Sequence, residues 1–290
     1  MKILVCIKKV LADESDIFLR DGVVEDECRI FKLNLPDVMA FREGVRIKEK
    51  QPGSTLDVVT VDGADSEPFL RSLAALGGDN VYRLWDEALA GGTELTNPAL
   101  TAILSGFIRK NDYDVMLFGC RSEYLGAGSL PILLSINLDV PSITGVTQIE
   151  VGEDGKMLVH RMMQKGKRVV YRCSPKAILS VEFHEQAGLE EDVERLVMSH
   201  GIKINRVSFE ELDVRVGYIK QNTERFEYSY PKPRTKYVVI PESDSVEDRL
   251  GFLMGGGIGK KDSSLIEGSP EKVVEEICKN LVMRNVFKRV

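Results

Sequence analysis

The chain has 290 residues, of which 43% are hydrophobic and 29% charged, and carries a net charge of −6. That is enough chain for one large domain with appendages, and the net negative charge, with lysines and arginines spread rather than massed, argues against the basic surface that duplex nucleic acid requires. No apolar run reaches the length of a membrane span. The opening "MKILVCIKKV" regains its lysines and reads as a first strand rather than a signal peptide, so a cytoplasmic location is expected. Residues 2–10 are the first expected strand. Residues 36–50 follow as a helix, with Pro36 in its first turn, Asp37 complementing its N-terminus, and Val38, Phe41, Val45 and Ile47 as its apolar stripe. Strand 55–64, helix 66–78 with a glycine stop, and strand 80–86 come next. A helix over 97–111 is expected to take Asn97 as N-cap and Pro98 at its first position. A strand over 113–119 leads through a loop into a helix ending near Leu138.

Strands buried on both faces thus alternate with amphipathic helices, the pattern of a three-layer, doubly wound parallel sheet. From Ser142 the texture changes to short alternating strands with turns at "GEDG" and "KGK", an antiparallel excursion that ends on a buried strand at "KAILSVEF". Residues 185–200 are polar and helix-prone. Residues 224–245, rich in Tyr, Pro and charge, read as an extended arm. The end of the chain, 269–285, reads as a helix capped by Ser269 and opened by Pro270.

The five cysteines (Cys6, Cys28, Cys120, Cys173, Cys278) and three histidines are scattered. With no CxxC pair, neither zinc, a dithiol relay nor an iron–sulfur cluster is indicated. No Ser/His/Asp arrangement can be assembled either. The chemistry-bearing feature is the stretch "LFGCRSEYLGAGSLP", Leu117 to Pro131. It offers Gly119, Gly126 and Gly128 as permissive positions, Ser122 and Ser129 as hydroxyls and Arg121 as a fork, ahead of a helix N-terminus. Backbone N–H groups in such a turn bind anions well, phosphate first. On composition alone a plain structural loop accounts for it equally, and it is neither a Walker A motif nor GxGxxG.

The order of signals resembles the beta subunit of electron transfer flavoproteins. The resemblance rests on "MKILVCIKKV", "LNLPDVMAFREGVRIKEK", "FLRSLAALGGDNVYRL", "YDVMLFGCRS" and "SLIEGSPEKVVEEICKNL", and it spans nearly the whole chain. It implies an adenine-nucleotide-binding α/β fold and a heterodimer with an alpha subunit that carries the redox-active FAD. It further implies electron delivery to or from an acyl-CoA-type or other dehydrogenase, and no catalytic residues in this chain. The beta subunit would hold AMP, or a second FAD in electron-bifurcating members. By position, the nucleotide contacts implied are Cys6, Asn34, Leu35, Pro36, Asp37, Asp62, and the run Gly119, Cys120, Arg121, Ser122, Gly126, Ala127, Gly128, Ser129 and Leu130. The implied division is a nucleotide-binding domain, 1–223, and a C-terminal arm and helix on the alpha subunit, 224–290. A partner-recognition loop would fall near 184–204, with Glu190, Glu191, Asp192 and Val193 as docking residues.

The loop lacks the family's usual Asp-Gly pair, and "HEQAGLEEDVER" replaces its usual "NEPRYPS", so AMP and FAD both stay open and the docking loop is of unusual build. Cys6 reads equally as a core thiol, and Asp62 as a turn cap. A universal-stress-type nucleotide sensor would share the fold at about half the length, without the arm. An ATP-pyrophosphatase would need a Ser-Gly-Gly-x-Asp-Ser loop, which "KKVLADESD" does not supply.

Overall fold

The computed structural model describes residues 1–12, 19–20, 23–24, 30–89, 94–123, 126–152, 154–182, 197, 199, 201–224 and 268–283. By contacts the chain divides into a unit of Met1–Tyr230 and a unit of Pro231–Val290. In the first, the strands are β1 (Lys2–Cys6), β2 (Lys9–Leu11), β3 (Leu19–Arg20), β4 (Val23–Val24), β5 (Phe31–Leu33), β6 (Thr55–Val61), β7 (Asn80–Leu84), β8 (Glu94–Leu95), β9 (Val115–Gly119), β10 (Ser142–Val151), β11 (Met157–Met162), β12 (Arg168–Cys173), β13 (Ala177–Val181), β14 (Ile204–Val207) and β15 (Thr223–Glu224). Its helices are α1 (Leu35–Lys50), α2 (Glu67–Ala75), α3 (Asn97–Asn111), α4 (Leu130–Leu138) and α5 (Val216–Gln221). The second unit contributes α6 (Pro270–Met283), whose first turn is closed by the Val273 N–H on the Ser269 carbonyl at 3.0 Å.

The main sheet has nine strands in the order β12-β11-β10-β13-β9-β1-β6-β7-β14. From β10 to β14 every neighbouring pair is parallel, whereas β11 and β12 are antiparallel. The reason is visible in β1. Ile3 and Val5 pack on one face with Ala40, Phe41 and Ile47 of α1 and Leu70 and Leu73 of α2. Leu4 and Cys6 pack on the other with Ile103, Leu104 and Phe107 of α3, Leu134 of α4 and Ile219 of α5. Successive side chains point to opposite faces, so a strand of continuous apolar residues needs a helix layer on each side. The three-layer α/β architecture expected from the sequence is the one observed.

Two expectations need correction. The expected strand over 2–10 breaks after Cys6: β1 ends there, and β2 pairs with β5 in a separate two-stranded ribbon. The Lys8 N–H at the break goes to a side chain of α1. In α3 the N-cap is Thr96, without a side-chain capping bond, and Asn97 is already helical. The Asn97 amide instead donates to Ser129 Oγ at 2.8 Å.

The sheet's two edges differ. At β14, Arg206 forks onto Glu67 at 2.8 and 3.0 Å, and Arg83 Nε lies 3.1 Å from the same carboxylate. The Arg206 hydrogen bonds hold the Glu67 carboxyl below the usual carboxylate range. At β12, Val169, Val170 and Tyr171 are all exposed. No helix among the described residues is long and apolar enough to cross a membrane.

Candidate functional site

Parallel sheets present ligand sites beyond the carboxyl ends of their strands. Here the adjacent strands β9, β1 and β6 end at Gly119, Cys6 and Val61, so Gly119, Cys6 and Asp62 share one edge. The N-terminus of α1 joins them through Asp37. This buried carboxylate accepts the Lys8 N–H on Oδ2 at 2.9 Å and the Gly119 N–H on Oδ1 at 3.1 Å. One side chain thus ties the end of β1, the end of β9 and the start of α1. Burial pushes its pKa up to about 7, against the lowering effect of those N–H groups, Asn34 and the Lys8 charge. Cys6 is also buried, and burial, aided by the Asp37 charge, pushes its thiol well up. A thiol so held is a core group rather than a nucleophile.

Asn34 holds the next layer. Its side-chain amide donates to the Arg121 carbonyl at 3.0 Å, and its Oδ1 accepts the Glu123 N–H at 3.0 Å. Glu123 returns the contact, accepting the Leu35 N–H at 3.1 Å, as a carboxylate at a helix N-terminus should. Pro36 is buried in the first turn of α1 and has no N–H to satisfy. The side chains of Asn34 and Asp37 are therefore spent on shaping the loop.

The loop closes on itself through Ser122 N–H to the Ala127 carbonyl at 2.9 Å and Gly126 N–H to the Ser122 carbonyl at 2.8 Å. Gly126 sits at φ +65°, which suits glycine. A Cβ on Gly128 would stand 2.4 Å from the Cys120 carbonyl oxygen. That glycine is thus required by the loop's own backbone. Beyond it, none of the described residues accepts a hydrogen bond from the N–H groups of Ala127, Gly128, Ser129 or Leu130. Ser122 Oγ is buried and likewise has no partner among them. Four consecutive open N–H groups at the N-terminus of α4, with an orphan hydroxyl beside the turn, are what an anion with several oxygens would satisfy. The exposed Arg121 stands on this loop. A phosphate group fits this donor set.

On the other flank, Asp62 accepts the Gly63 N–H at 2.7 Å and lies 3.4 Å from Lys9 Nζ. Burial raises its pKa, with Lys9 opposing. Lys9 also contacts Asp65 and rides 4.6 Å above the Phe31 ring. Sequence reasoning missed Lys9, Glu123 and Asn97. Glu123 carried a signal, as the sole carboxylate between Gly119 and a helix start. Lys9 and Asn97 carried none, because their partners are distant in sequence. Glu190, Glu191, Asp192 and Val193 lie outside the described residues. Among those described, no group of three or more His, Cys, Asp or Glu side chains is placed to hold a metal.

A family model described as "Electron transfer flavoprotein domain" matches residues 22–184. The electron transfer flavoprotein subunit beta of Thermoanaerobacterium thermosaccharolyticum is 28% identical over 190 residues, 63% of this chain and 68% of the relative. That of Bacillus subtilis is 28% identical over 154 residues, 52% and 58%. The caffeyl-CoA reductase-Etf complex subunit CarD of Acetobacterium woodii is 30% identical over 171 residues, 59% and 64%.

Proposed function

The chain belongs to the electron transfer flavoprotein domain family, on its beta-subunit side, and on that premise we propose that it pairs with an FAD-carrying alpha subunit and holds an adenine nucleotide at the loop Gly119–Leu130. The observation that carries the reading is the loop itself. Its open N–H run and orphan Ser122 hydroxyl have no acceptor among the described residues, while Asn34 and Asp37 hold it in shape. AMP, and the AMP half of an FAD, present the same phosphate to such a cradle.

In this reading the chain does no proton chemistry. Ala127 to Leu130 bind the phosphate through backbone, Asn34, Asp37 and Glu123 position the loop, and Asp62 with Lys9 borders the nucleoside side. The flavin of the alpha subunit, when bound, supplies the redox step. Residues 1–223 form the nucleotide-binding part and 224–290 the arm on the alpha subunit. The stretch 184–204, with Glu190, Glu191, Asp192 and Val193, docks the dehydrogenase.

The test is to copurify the chain with its alpha subunit, release the bound nucleotides by acid and quantify them. One FAD and one AMP per heterodimer identify a simple carrier, and two FAD a bifurcating one. A heterodimer with one FAD and no second nucleotide refutes the assignment of the loop.

A further inference from the structure

Asn97 opens α3, yet its side chain does not serve that helix. Asn commonly turns its amide onto nearby backbone. Here the amide crosses to the start of α4 and donates to Ser129 Oγ at 2.8 Å. The crossing is held from both sides. Thr96, the residue before, donates its N–H at 3.2 Å and its Oγ1 at 2.8 Å to the Asn222 carbonyl. Thr101, one turn on, donates its Oγ1 to the Asn97 carbonyl at 2.7 Å. A serine hydroxyl has one proton and two lone pairs. The Asn97 amide fills a lone pair, and an NH₂ group cannot take the proton. That proton meets no acceptor among the described residues. Ser129 is therefore left to donate, and it stands within the run of open N–H groups from Ala127 to Leu130. The unused capacity at this end of α4 is of one kind, and only an acceptor-rich group satisfies it.

We propose that Asn97 is a positioning residue for the nucleotide: by filling the acceptor side of Ser129, it makes that hydroxyl a fixed donor to the phosphate. The proposal rests on the function given above and adds to it a residue from a different helix. Without Asn97 the hydroxyl rotates, and that freedom is lost when phosphate binds. With Asn97 the orientation is set beforehand, which lowers the cost of binding. Hydrogen bonds to an ionised oxygen are among the stronger ones, so aiming this one has a measurable effect.

The heterodimer is copurified and its second nucleotide removed by charcoal. AMP and FAD are then titrated in by calorimetry, with adenosine as the probe that lacks phosphate. Ser129→Ala should weaken nucleotide binding roughly tenfold or more. Asn97→Ala should weaken it roughly threefold or more. The double variant should lose no more than Ser129→Ala alone, because Asn97 acts through that hydroxyl. Asn97→Asp, which accepts the proton and adds a negative charge, should weaken binding more than Asn97→Ala. Adenosine should bind every variant as it binds wild type. Thr101→Val, which disturbs the same turn of α3 and leaves the amide alone, should leave nucleotide affinity unchanged. Additive losses in the double variant, equal losses for adenosine, or a Thr101→Val loss as large as that of Asn97→Ala would reveal a merely structural tie between α3 and α4 and overturn the proposal. Wild-type affinity in Asn97→Asp would overturn it too, since the hydroxyl then donates to residue 97. A wild-type heterodimer that takes up neither AMP nor FAD refutes the functional reading, and this proposal with it.

Discussion

Asp37 holds three elements with one buried carboxylate, so its ionisation bears directly on the stability of the fold. Its pKa stands near 7, against an ordinary 3.8. The difference, at about 1.4 kcal/mol per unit, amounts to roughly 4 kcal/mol between the two protonation states. The sign follows from proton counting. Between pH 3.8 and 7 the folded chain binds a proton at Asp37 that the unfolded chain has lost, so this group makes stability fall as pH rises through that window. From pH 5 to 8 its share is about 3 kcal/mol. Carboxylates held low, Glu67 and Glu211 among them, act in the opposite sense, but below the ordinary range and so outside this window.

Asp37→Asn keeps the shape and removes the titration. It leaves an NH₂ group facing one of two backbone donors, at a cost of about 1–3 kcal/mol. Urea unfolding of the full chain at pH 5, 6, 7 and 8 reads both effects. The variant should be clearly the less stable at pH 5, and the gap should narrow or reverse by pH 8. Parallel stability curves for the two proteins would show that Asp37 does not titrate in this window and that the clamp is not under ionisation strain.

Gly128→Ala should cost the heterodimer its second nucleotide, retained after gel filtration in wild type, because the added Cβ meets the Cys120 carbonyl at 2.4 Å. Gly126→Ala, with open space around it and only φ +65° to oppose it, should cost about 1–2 kcal/mol and keep most of the nucleotide; equal retention in both variants would remove the loop from the site. Glu67→Gln leaves the buried Arg83 only the exposed Glu87, 3.5 Å away, and should destabilise by roughly 2–3 kcal/mol, whereas Arg206→Ala, at a side chain 63% exposed, should cost about 1 kcal/mol or less; thermal melts giving the reverse order would show that the β14 edge does not depend on this buried pair. Replacing Glu190, Glu191 and Asp192 together by Ala should leave flavin content unchanged and slow electron delivery to the dehydrogenase, most at low ionic strength; an unaltered rate there would move the docking site elsewhere.

The layered sheet was legible because its strands are apolar at successive positions, and nothing but burial on both faces explains Ile3 to Cys6. The carboxyl-edge loop was legible because glycines and serines cluster there between a strand and a helix. What the sequence hid was the division of labour. Asp37 read as a helix-dipole residue, since its partners Lys8 and Gly119 are backbone groups, which leave no mark in side-chain patterns. Asn97 read as a cap because Asn before Pro usually is one; Thr96 takes the cap position and Asn97 reaches Ser129. The return of β13 to lie beside β9 was equally hidden, being a choice among pairings that periodicity does not distinguish.

The β12 edge bears on how the chain behaves in concentrated solution. Among the described residues β12 ends the sheet, which leaves one row of its backbone groups open, and Val169, Val170 and Tyr171 make this edge adhesive. Its neighbours in sequence are Lys165, Lys167 and Arg168 on one side and Arg172 on the other. Two copies approaching antiparallel through this edge would bring Lys165, Lys167 and Arg168 of each against Arg172 of the other, a repulsion that Asp154, 2.9 Å from Arg172, tempers, and charges so placed are the gatekeeping by which natural sheets resist stacking into fibrils. That protection is electrostatic, so concentrated salt weakens it, and keeping this chain at modest ionic strength during preparation guards the edge with its own charges.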